Sequence, residues 1–141
     1  MECIWSVIMK KFMTMLFLLA PSIGLAASQM TTTEIIDLYA NSTSVSSTKS
    51  HANYYSADGS YKSTNLTTGV ASEGTWSVQG PDMICIKSSS VDGCWNMSRS
   101  TTKVFFSANG KTSSRDLDEF MRGDKTEQLL EVSKMMKALG K

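Results

Sequence analysis

The segment GTWSVQGPDMICIKSSSVDGCWNMS, residues 74–98, decides the fold. In Thr75–Val78, apolar and polar side chains alternate, so Trp76 and Val78 fall on one face of an extended strand. Polar, Gly-containing turns then separate two more short apolar runs. The predicted order is turn, strand, turn, strand: Gly80-Pro81-Asp82, Met83–Lys87, Asp92-Gly93 and Cys94–Ser98.

The same pattern continues on both sides of this segment. Further strands are predicted at His51–Ser56, Ser60–Thr64 and Lys103–Ser107. Hairpin turn signals, Ala57-Asp58-Gly59 and Ala108-Asn109-Gly110, adjoin them, and Gly69–Gly74 is predicted as a loose turn. Strands of about five residues, recurring about every 8–12 positions, indicate an antiparallel meander.

Helices are predicted on either side of the strands. Thr31 and Glu34 form a capping-box pattern that opens a helix over Thr32–Ala40. A second helix is predicted over Lys125–Leu139, and it packs through the apolar stripe Leu129, Val132, Met136 and Leu139, with a dimer seam as the alternative. Residues 42–50 are a loop or a solvated edge strand, and residues 115–122 are helix or strand. The predicted fold is therefore mainly β (α+β), an antiparallel meander or small barrel of about six to seven strands with a short N-terminal helix and a C-terminal helix.

The N-terminal residues have the pattern of a signal peptide. Lys10-Lys11 precedes the apolar run Phe12–Ala20, and small residues follow up to Ser28. Cleavage is expected after Ala26 or Ala27, and Met9 is a possible true start. The apolar run is short for a bilayer core of about 30 Å, although a retained anchor is the alternative. The predicted division is a signal peptide over 1–27, a β-rich domain with its helix over 28–114, and a charged helical tail over 115–141.

This division predicts a periplasmic or secreted protein without a stable membrane anchor after cleavage. The whole chain holds 14 Lys or Arg and 13 Asp or Glu residues, and Lys10, Lys11 and Glu2 belong to the leader. The mature domain is therefore close to neutral. A neutral domain lacks the positive field that attracts nucleic acid or anionic membranes, so neither is an expected partner.

Two cysteines remain after the leader and its Cys3 are removed. Cys85 and Cys94 are an even number of thiols in an oxidising compartment, and a polar turn separates them. A hairpin would place their sulfurs opposite each other. We therefore predict a disulfide, which stabilises by roughly 2–3 kcal/mol in the chain-entropy model.

No catalytic or metal-binding constellation is found in the sequence. His51 is the one histidine, and a zinc site needs more ligands. Glu73 precedes Gly74 and could act as a general acid in a cleft, although a solvated strand end is the preferred interpretation. We expect no catalytic residues, no metal and no cofactor, and enzymatic activity is left open with a preference against it.

Aromatic residues form the candidate binding surface. Because neighbours in a strand point to opposite faces, one residue of Tyr54-Tyr55 and one of Phe105-Phe106 must point away from the core. That outward ring is either covered by a helix or free to bind. The candidate residues are Tyr54, Tyr55, Tyr61, Trp76, Trp95, Phe105 and Phe106, with Trp76 and Trp95 as expected core anchors.

The order of these motifs resembles a family of small exported proteobacterial proteins of unknown function. The resemblance covers roughly residues 33–110 and is carried by Tyr55–Tyr61, Gly74–Val78, Ile84–Ile86 and Cys94-Trp95, which look like the family's YxxDGxxR, GTWxV, LC and CW motifs. Lys62 stands at the usual basic position, and the tail after Asp124 is an extension. The resemblance implies a compact antiparallel sheet or small barrel, and no activity.

Three functions are consistent with these observations. The first is an exported, non-catalytic protein that binds a protein or small apolar ligand of the cell envelope on the open face of the sheet or inside the barrel. The second is an inhibitor or immunity protein against a cell-wall-degrading enzyme, with Ser63–Ser72 or Ser88–Gly93 as its protruding loop. The third is a hydrolase that uses His51 or Glu73.

Overall fold

The computed structural model describes residues 26–140. The predicted signal peptide therefore lies almost wholly outside the described residues, as do Met9 and Cys3. Within residues 26–140, no helix has the length and apolar character needed to cross a membrane.

The described residues form ten strands, two α-helices and one 3-10 helix. In chain order these are β1 (Ser28–Gln29), α1 (Thr32–Tyr39), β2 (Ser42–Val45), β3 (His51–Tyr55), β4 (Ser60–Asn65), β5 (Ala71–Gln79), β6 (Met83–Ser88), β7 (Asp92–Arg99), β8 (Lys103–Ala108), β9 (Lys111–Asp116), the 3-10 helix (Leu117–Glu119), β10 (Phe120–Arg122) and α2 (Thr126–Ala138). The mainly β fold with a helix on each side is confirmed. The expected six or seven strands are too few, because short strands such as β1 and β10 form only where distant segments pair with them.

The strands form one antiparallel sheet that curls into a nearly closed barrel. Its order is β10-β2-β3-β4-β5-β6-β7-β8-β9, with β1 added on β7. The end strands β9 and β10 meet at a seam, where Arg115 of β9 donates from Nη1 to Ser44 Oγ of β2 at 2.7 Å. An ion pair between Lys49 and Glu119 also joins the two sides. Side chains therefore close the barrel where the main chain does not.

Strand alternation separates the inside of the barrel from the outside. Ile84 and Ile86 of β6 are buried inside, whereas Cys85 between them lies on the outer face and is paired across the ladder with Cys94 of β7. The two sulfurs form a disulfide, with the Cα atoms 4.1 Å apart. The predicted pairing is confirmed, and it joins the β6–β7 hairpin near its turn.

Gly74 has a structural reason to be glycine. A Cβ atom built at Gly74 would lie 2.0 Å from the carbonyl oxygen of Lys87 on the neighbouring strand. No other residue fits so close an approach of two backbones. The glycine of the GTW motif therefore allows β5 and β6 to curl together.

Helix α1 begins and ends through specific side chains. Thr31 Oγ1 accepts from Glu34 N, and the Glu34 carboxylate accepts from Thr31 N, so the predicted capping box is confirmed. At the other end, Arg122 of β10 donates from Nη2 to the Asp37 carbonyl at 2.8 Å. Such donors satisfy carbonyls that a helix leaves without partners.

Helix α2 packs on the outer face of β3 and β4. The helix was predicted within one residue of its observed bounds. Thr126 is fully buried at its start, and Ser133 Oγ donates to the Leu66 carbonyl at 2.8 Å. The predicted packing stripe is wrong except at Leu129, which is half-buried. The other three residues of the stripe are exposed: Val132, Met136 and Leu139.

Several local predictions are corrected. Ser42–Val45 is neither a loop nor a solvated edge, because β3 and β10 pair with it on both sides and Ser42, Thr43 and Ser44 are buried. Ala71–Gly74 belongs to β5, and Asp92-Gly93 opens β7 rather than forming a turn. Residues 115–122, left open by the sequence, complete β9, form the 3-10 helix and supply β10. The β-rich part therefore continues to Arg122.

Candidate functional site

The barrel encloses a cavity of about 270 Å³. It is lined by inward-facing side chains from β3, β4, β6, β7, β8 and β9 and by Tyr39 of α1. At about 30 Å³ per water molecule, this volume is room for about nine waters, or for a ligand of roughly ten non-hydrogen atoms. We call this cavity the lumen.

An aromatic floor closes one end of the lumen. The ring of Tyr39 lies 4.8 Å from that of Tyr55 and 5.1 Å from that of Phe120, measured between centroids and edge to face in both cases. Trp76 lies behind them, 5.8 Å from Tyr55, and its Nε1 donates to the Ser56 carbonyl at 2.7 Å. Helix α1 thus plugs the barrel with rings in favourable geometries.

The opposite end of the lumen is its mouth. Successive antiparallel hairpins turn at alternating ends, so the turns at 46–50, 66–70 and 89–91 all lie away from α1. The start of β5 contacts the last of these turns, since Ser72 Oγ and Ser90 Oγ lie 2.6 Å apart. Ser90 is exposed and Val91 half-buried, yet both line the cavity. The lumen therefore reaches solvent between these turns.

One wall of the lumen is apolar. Ile84 and Ile86 of β6, Trp95 of β7, Phe106 of β8 and Val91 of the mouth form it. The Trp95 ring leans toward Gly93, where a Cβ atom would lie 3.1 Å from the ring carbon Cη2. Glycine at this position therefore leaves room for the indole in the wall.

The facing wall is polar. Asn53 and Ser63 line it, and Ser44 lies in register beside Asn53 but is fully buried behind the lining. Asn53 Oδ1 accepts from Ser63 Oγ at 2.8 Å and from Tyr61 Oη at 3.0 Å. We call Ser44, Asn53 and Ser63 the polar belt. The lumen thus has two chemically different sides.

Arg115 stands where the polar belt meets the apolar wall. Its Nη1 donates to Ser44 of the belt, and its Cζ lies 5.1 Å from the centroid of the Phe106 ring. Its Nε is buried and has no hydrogen-bond partner. Among residues 26–140, Arg115 also has no ion-pair partner. The lumen therefore holds a cation with unused donors.

Burial raises the pKa of Tyr39, Tyr55 and Tyr61 above the ordinary value of 10.0. Mutual repulsion with Tyr55 adds to the rise for the other two, whereas the positive charge of Arg115 opposes it in all three. These hydroxyls are therefore neutral hydrogen-bonding groups at neutral pH.

The predicted aromatic set is divided between three places. Tyr55, Tyr61, Trp95 and Phe106 line the lumen, and Trp76 lies in the packed core behind the floor. Tyr54 and Phe105 are half-buried on the outer face, where the Tyr54 hydroxyl donates to Asn41 Oδ1 at 3.0 Å. The prediction that the two rings of Tyr54-Tyr55 and of Phe105-Phe106 point to opposite faces of the sheet is confirmed. Trp95, expected as a core anchor, packs half-buried against the core and also forms part of the cavity wall.

Sequence reasoning missed Tyr39, Asn53 and Arg115. The sequence predicts Tyr39 only as part of the helix Thr32–Ala40 and Asn53 only as part of the strand His51–Ser56. Arg115 was placed in the charged tail. Had Lys111–Asp116 been recognised as a strand, alternation would have put Arg115 on the same face as Ser113, but it would not have shown which face is inside.

The residues of the hydrolase hypothesis are not brought together. Glu73 is exposed on the outer face, opposite Lys62, and is not part of the lumen. His51 lies at the mouth, with Nδ1 2.9 Å from Ser50 Oγ. In the described part of the chain, no Asp or Glu lines the cavity, and no three His, Cys, Asp or Glu residues are grouped as metal ligands.

The loops of the inhibitor hypothesis are short. Ser63–Asn65 and Ala71-Ser72 belong to strands, and only residues 66–70 turn the chain. That turn is held by Asn65 Oδ1, which accepts from Thr67 N and Thr68 N. In the second segment Ser88 closes β6 and Asp92 opens β7. Neither segment forms the protruding loop that was expected.

No family model, curated protein or solved structure matches this chain. The function must therefore be argued from the lumen itself. Its arrangement is suited to enclosing a small molecule against an apolar wall, with a polar belt and a cation on the other side.

Proposed function

We propose that this protein is exported and binds a small, largely apolar ligand inside its barrel. The observation that carries the proposal is the lumen, an aromatic-floored cavity of about 270 Å³ with a mouth at one end. Small-molecule sites are typically concave and mainly apolar, with a few placed polar groups. Barrels of about eight strands have interiors that can hold one small ligand. The proposed role is binding and not catalysis, since the lumen supplies no carboxylate to act with His51.

Export is the second part of the proposal. The leader pattern over residues 1–27, the disulfide between Cys85 and Cys94 and the resemblance to small exported proteins all support it. Disulfides persist in oxidising compartments such as the periplasm. The ligand is accordingly expected in the cell envelope or outside the cell.

Binding is tested with two probes of the right size, 1-octanol and octanoate, titrated into the oxidised mature chain. Trp95 lies in the lumen wall, so its fluorescence reports occupancy, and calorimetry gives the dissociation constant. We expect saturable binding of at least one probe. The absence of binding by both probes at millimolar concentration contradicts the proposal.

A matched pair of variants places the binding site. Val91→Trp adds bulk to a residue that lines the mouth, whereas Val70→Trp adds the same bulk to a neighbouring turn residue that is 67% exposed and outside the lumen. We expect Val91→Trp to weaken binding at least about tenfold, equal to about 1.4 kcal/mol, because the indole fills the entrance. Val70→Trp is expected to bind as the unmodified protein does. Equal affinities for the two variants would place the ligand elsewhere.

Export is tested on the protein recovered from cell fractions. The intact mass of the mature chain is expected to match a start at Ala27 or Ser28, in the periplasmic or secreted fraction. A full-length chain that stays in the cytoplasm with its leader attached contradicts this part of the proposal.

A further inference from the structure

We propose that the ligand carries an anionic head group, which Arg115 binds through its guanidinium, while the ligand's apolar part lies against the opposite wall. This inference rests on the proposed binding function and specifies the chemical class of the ligand. It predicts a small amphipathic acid, such as a medium-chain or aryl-substituted carboxylate.

The first argument is the unused hydrogen-bonding capacity of Arg115. A guanidinium has five N–H donors in a planar fork. Within the described chain, Nη1 donates to Ser44, and the Tyr55 hydroxyl is a second hydrogen-bonding neighbour of the guanidinium. Nε is buried away from the cavity, so the donors that can face the lumen are those on Nη1 and Nη2. Two neighbours do not use all of these donors, and polar groups enclosed in a protein nearly always have partners. An acceptor in the lumen would bind the donors that remain.

The second argument is charge. Two other basic residues near the seam are paired, Lys49 with Glu119 and Lys103 with Asp116, whereas Arg115 has no carboxylate partner among residues 26–140. Arg115 is half-buried, and a charge that is partly withdrawn from water is stabilised by an opposite charge beside it. The face of the Phe106 ring attracts the guanidinium, but the ring does not neutralise the positive charge. A carboxylate would complete the site with the bidentate geometry that arginine favours.

The third argument is the two-sided shape of the lumen. Arg115, Asn53 and Ser63 line the lumen from β9, β3 and β4, whereas the apolar wall lies on β6, β7 and β8. A fully apolar molecule would leave the Arg115 donors desolvated and unpaired. A molecule with an acidic group at one end and a short apolar body satisfies both sides, and the volume limits it to roughly ten non-hydrogen atoms.

A purely structural role for Arg115 gives a different expectation. If the side chain only closes the seam by holding Ser44, its charge makes no distinction between ligands. Acid and alcohol of the same chain length would then bind the lumen equally. The comparison of octanoate with 1-octanol therefore separates the two roles without any mutation.

The experiment measures dissociation constants for octanoate, 1-octanol and octylammonium at pH 7.5. For the unmodified protein, we expect octanoate to bind roughly 10- to 100-fold more tightly than 1-octanol, the range for a hydrogen-bonded charged group. Octylammonium is expected to bind most weakly, because Arg115 repels it. These three titrations stand even if a variant at Arg115 does not fold.

Variants then assign the preference to Arg115. Arg115→Met should reduce the affinity for octanoate to the level of the affinity for 1-octanol. Its affinity for 1-octanol should stay within about twofold of that of the unmodified protein. Lys87→Met removes one positive charge from an exposed position on the outer face of β6 and should change neither affinity. Circular dichroism and the intact disulfide establish that each variant is folded before it is titrated.

Failure of this inference differs from failure of the binding function. Equal affinities of octanoate and 1-octanol for the unmodified protein overturn the inference while lumen binding stands. A preference for octanoate that survives in Arg115→Met overturns it as well. If neither probe binds, the proposed function and the inference fall together.

Discussion

At one end of the barrel the chain packs a helix and four aromatic rings, whereas at the other it leaves short, serine-rich turns around an opening. The floor contains Tyr39, Tyr55, Trp76 and Phe120, and its rings contact one another edge to face or at an angle. The mouth has Ser46, Ser90 and the half-buried His51 and Val91. The comparison predicts that the floor contributes more to the free energy of unfolding than the mouth does.

The largest effect is expected from removing the centre of the floor. Tyr39→Ala deletes a ring that is 3% exposed and contacts three other rings, so it should lower the free energy of unfolding by about 3–5 kcal/mol. Tyr54→Ala is the matched control, because Tyr54 is half-buried on the outer face, and it should cost about 1 kcal/mol. Urea unfolding followed by circular dichroism measures both. Equal losses would mean that the floor is not where the stability is concentrated.

Much of this architecture was predictable from local signals. The alternation in Thr75–Val78, the capping box of Thr31 and Glu34 and the cysteine pair each depend on residues close together in the chain, and each was predicted correctly. The opposite orientations of Tyr54 and Tyr55 follow from strand geometry alone. These signals are sufficient to give the fold class and the position of most aromatic rings.

The closure of the barrel and the polar side of the lumen could not be predicted. Ser42–Val45 reads as polar and solvated, yet it is buried because Phe120–Arg122 pairs with it from far along the chain and α2 covers the neighbouring strands. Arg115 reads as one charge in a charged tail. Its position in the lumen depends on the same long-range closure, which leaves no mark on the local pattern of residues.

High pH offers a second way to test the floor. Tyr39, Tyr55 and Tyr61 have pKa values raised by burial, so between pH 10 and their folded-state pKa the unfolded chain loses protons that the folded chain keeps. The contribution of these tyrosines to the free energy of unfolding is fully present below pH 10. Above pH 10 it declines, by up to about 1.4 kcal/mol per pH unit for each tyrosine. Unfolding free energies at pH 8, 10 and 11 should show the decline.

Tyr39→Phe makes this pH test specific. The variant keeps the ring but has no hydroxyl to ionise, so the decline above pH 10 should be shallower than in the unmodified protein. Tyr54→Phe is the matched control, because Tyr54 is half-buried on the outer face and not part of the floor, and it should leave the slope as it is. A slope that is unchanged in Tyr39→Phe would remove the floor tyrosine from the explanation.

The smallest effect is expected at the mouth, and a matched serine pair measures it. Ser90→Ala removes an exposed hydroxyl that contacts Ser72 and Ser88, and surface changes of this kind usually stay within about 0.5 kcal/mol. Ser44→Ala removes a fully buried hydroxyl that accepts from Arg115, so the guanidinium loses its hydrogen bond inside the lumen, at a cost of about 1–3 kcal/mol. Both are measured by urea unfolding. Water can replace the partners of Ser90 but cannot easily reach Ser44. If Ser90→Ala lowered the free energy of unfolding as much as Ser44→Ala does, the turns at the mouth would be part of the stabilising structure.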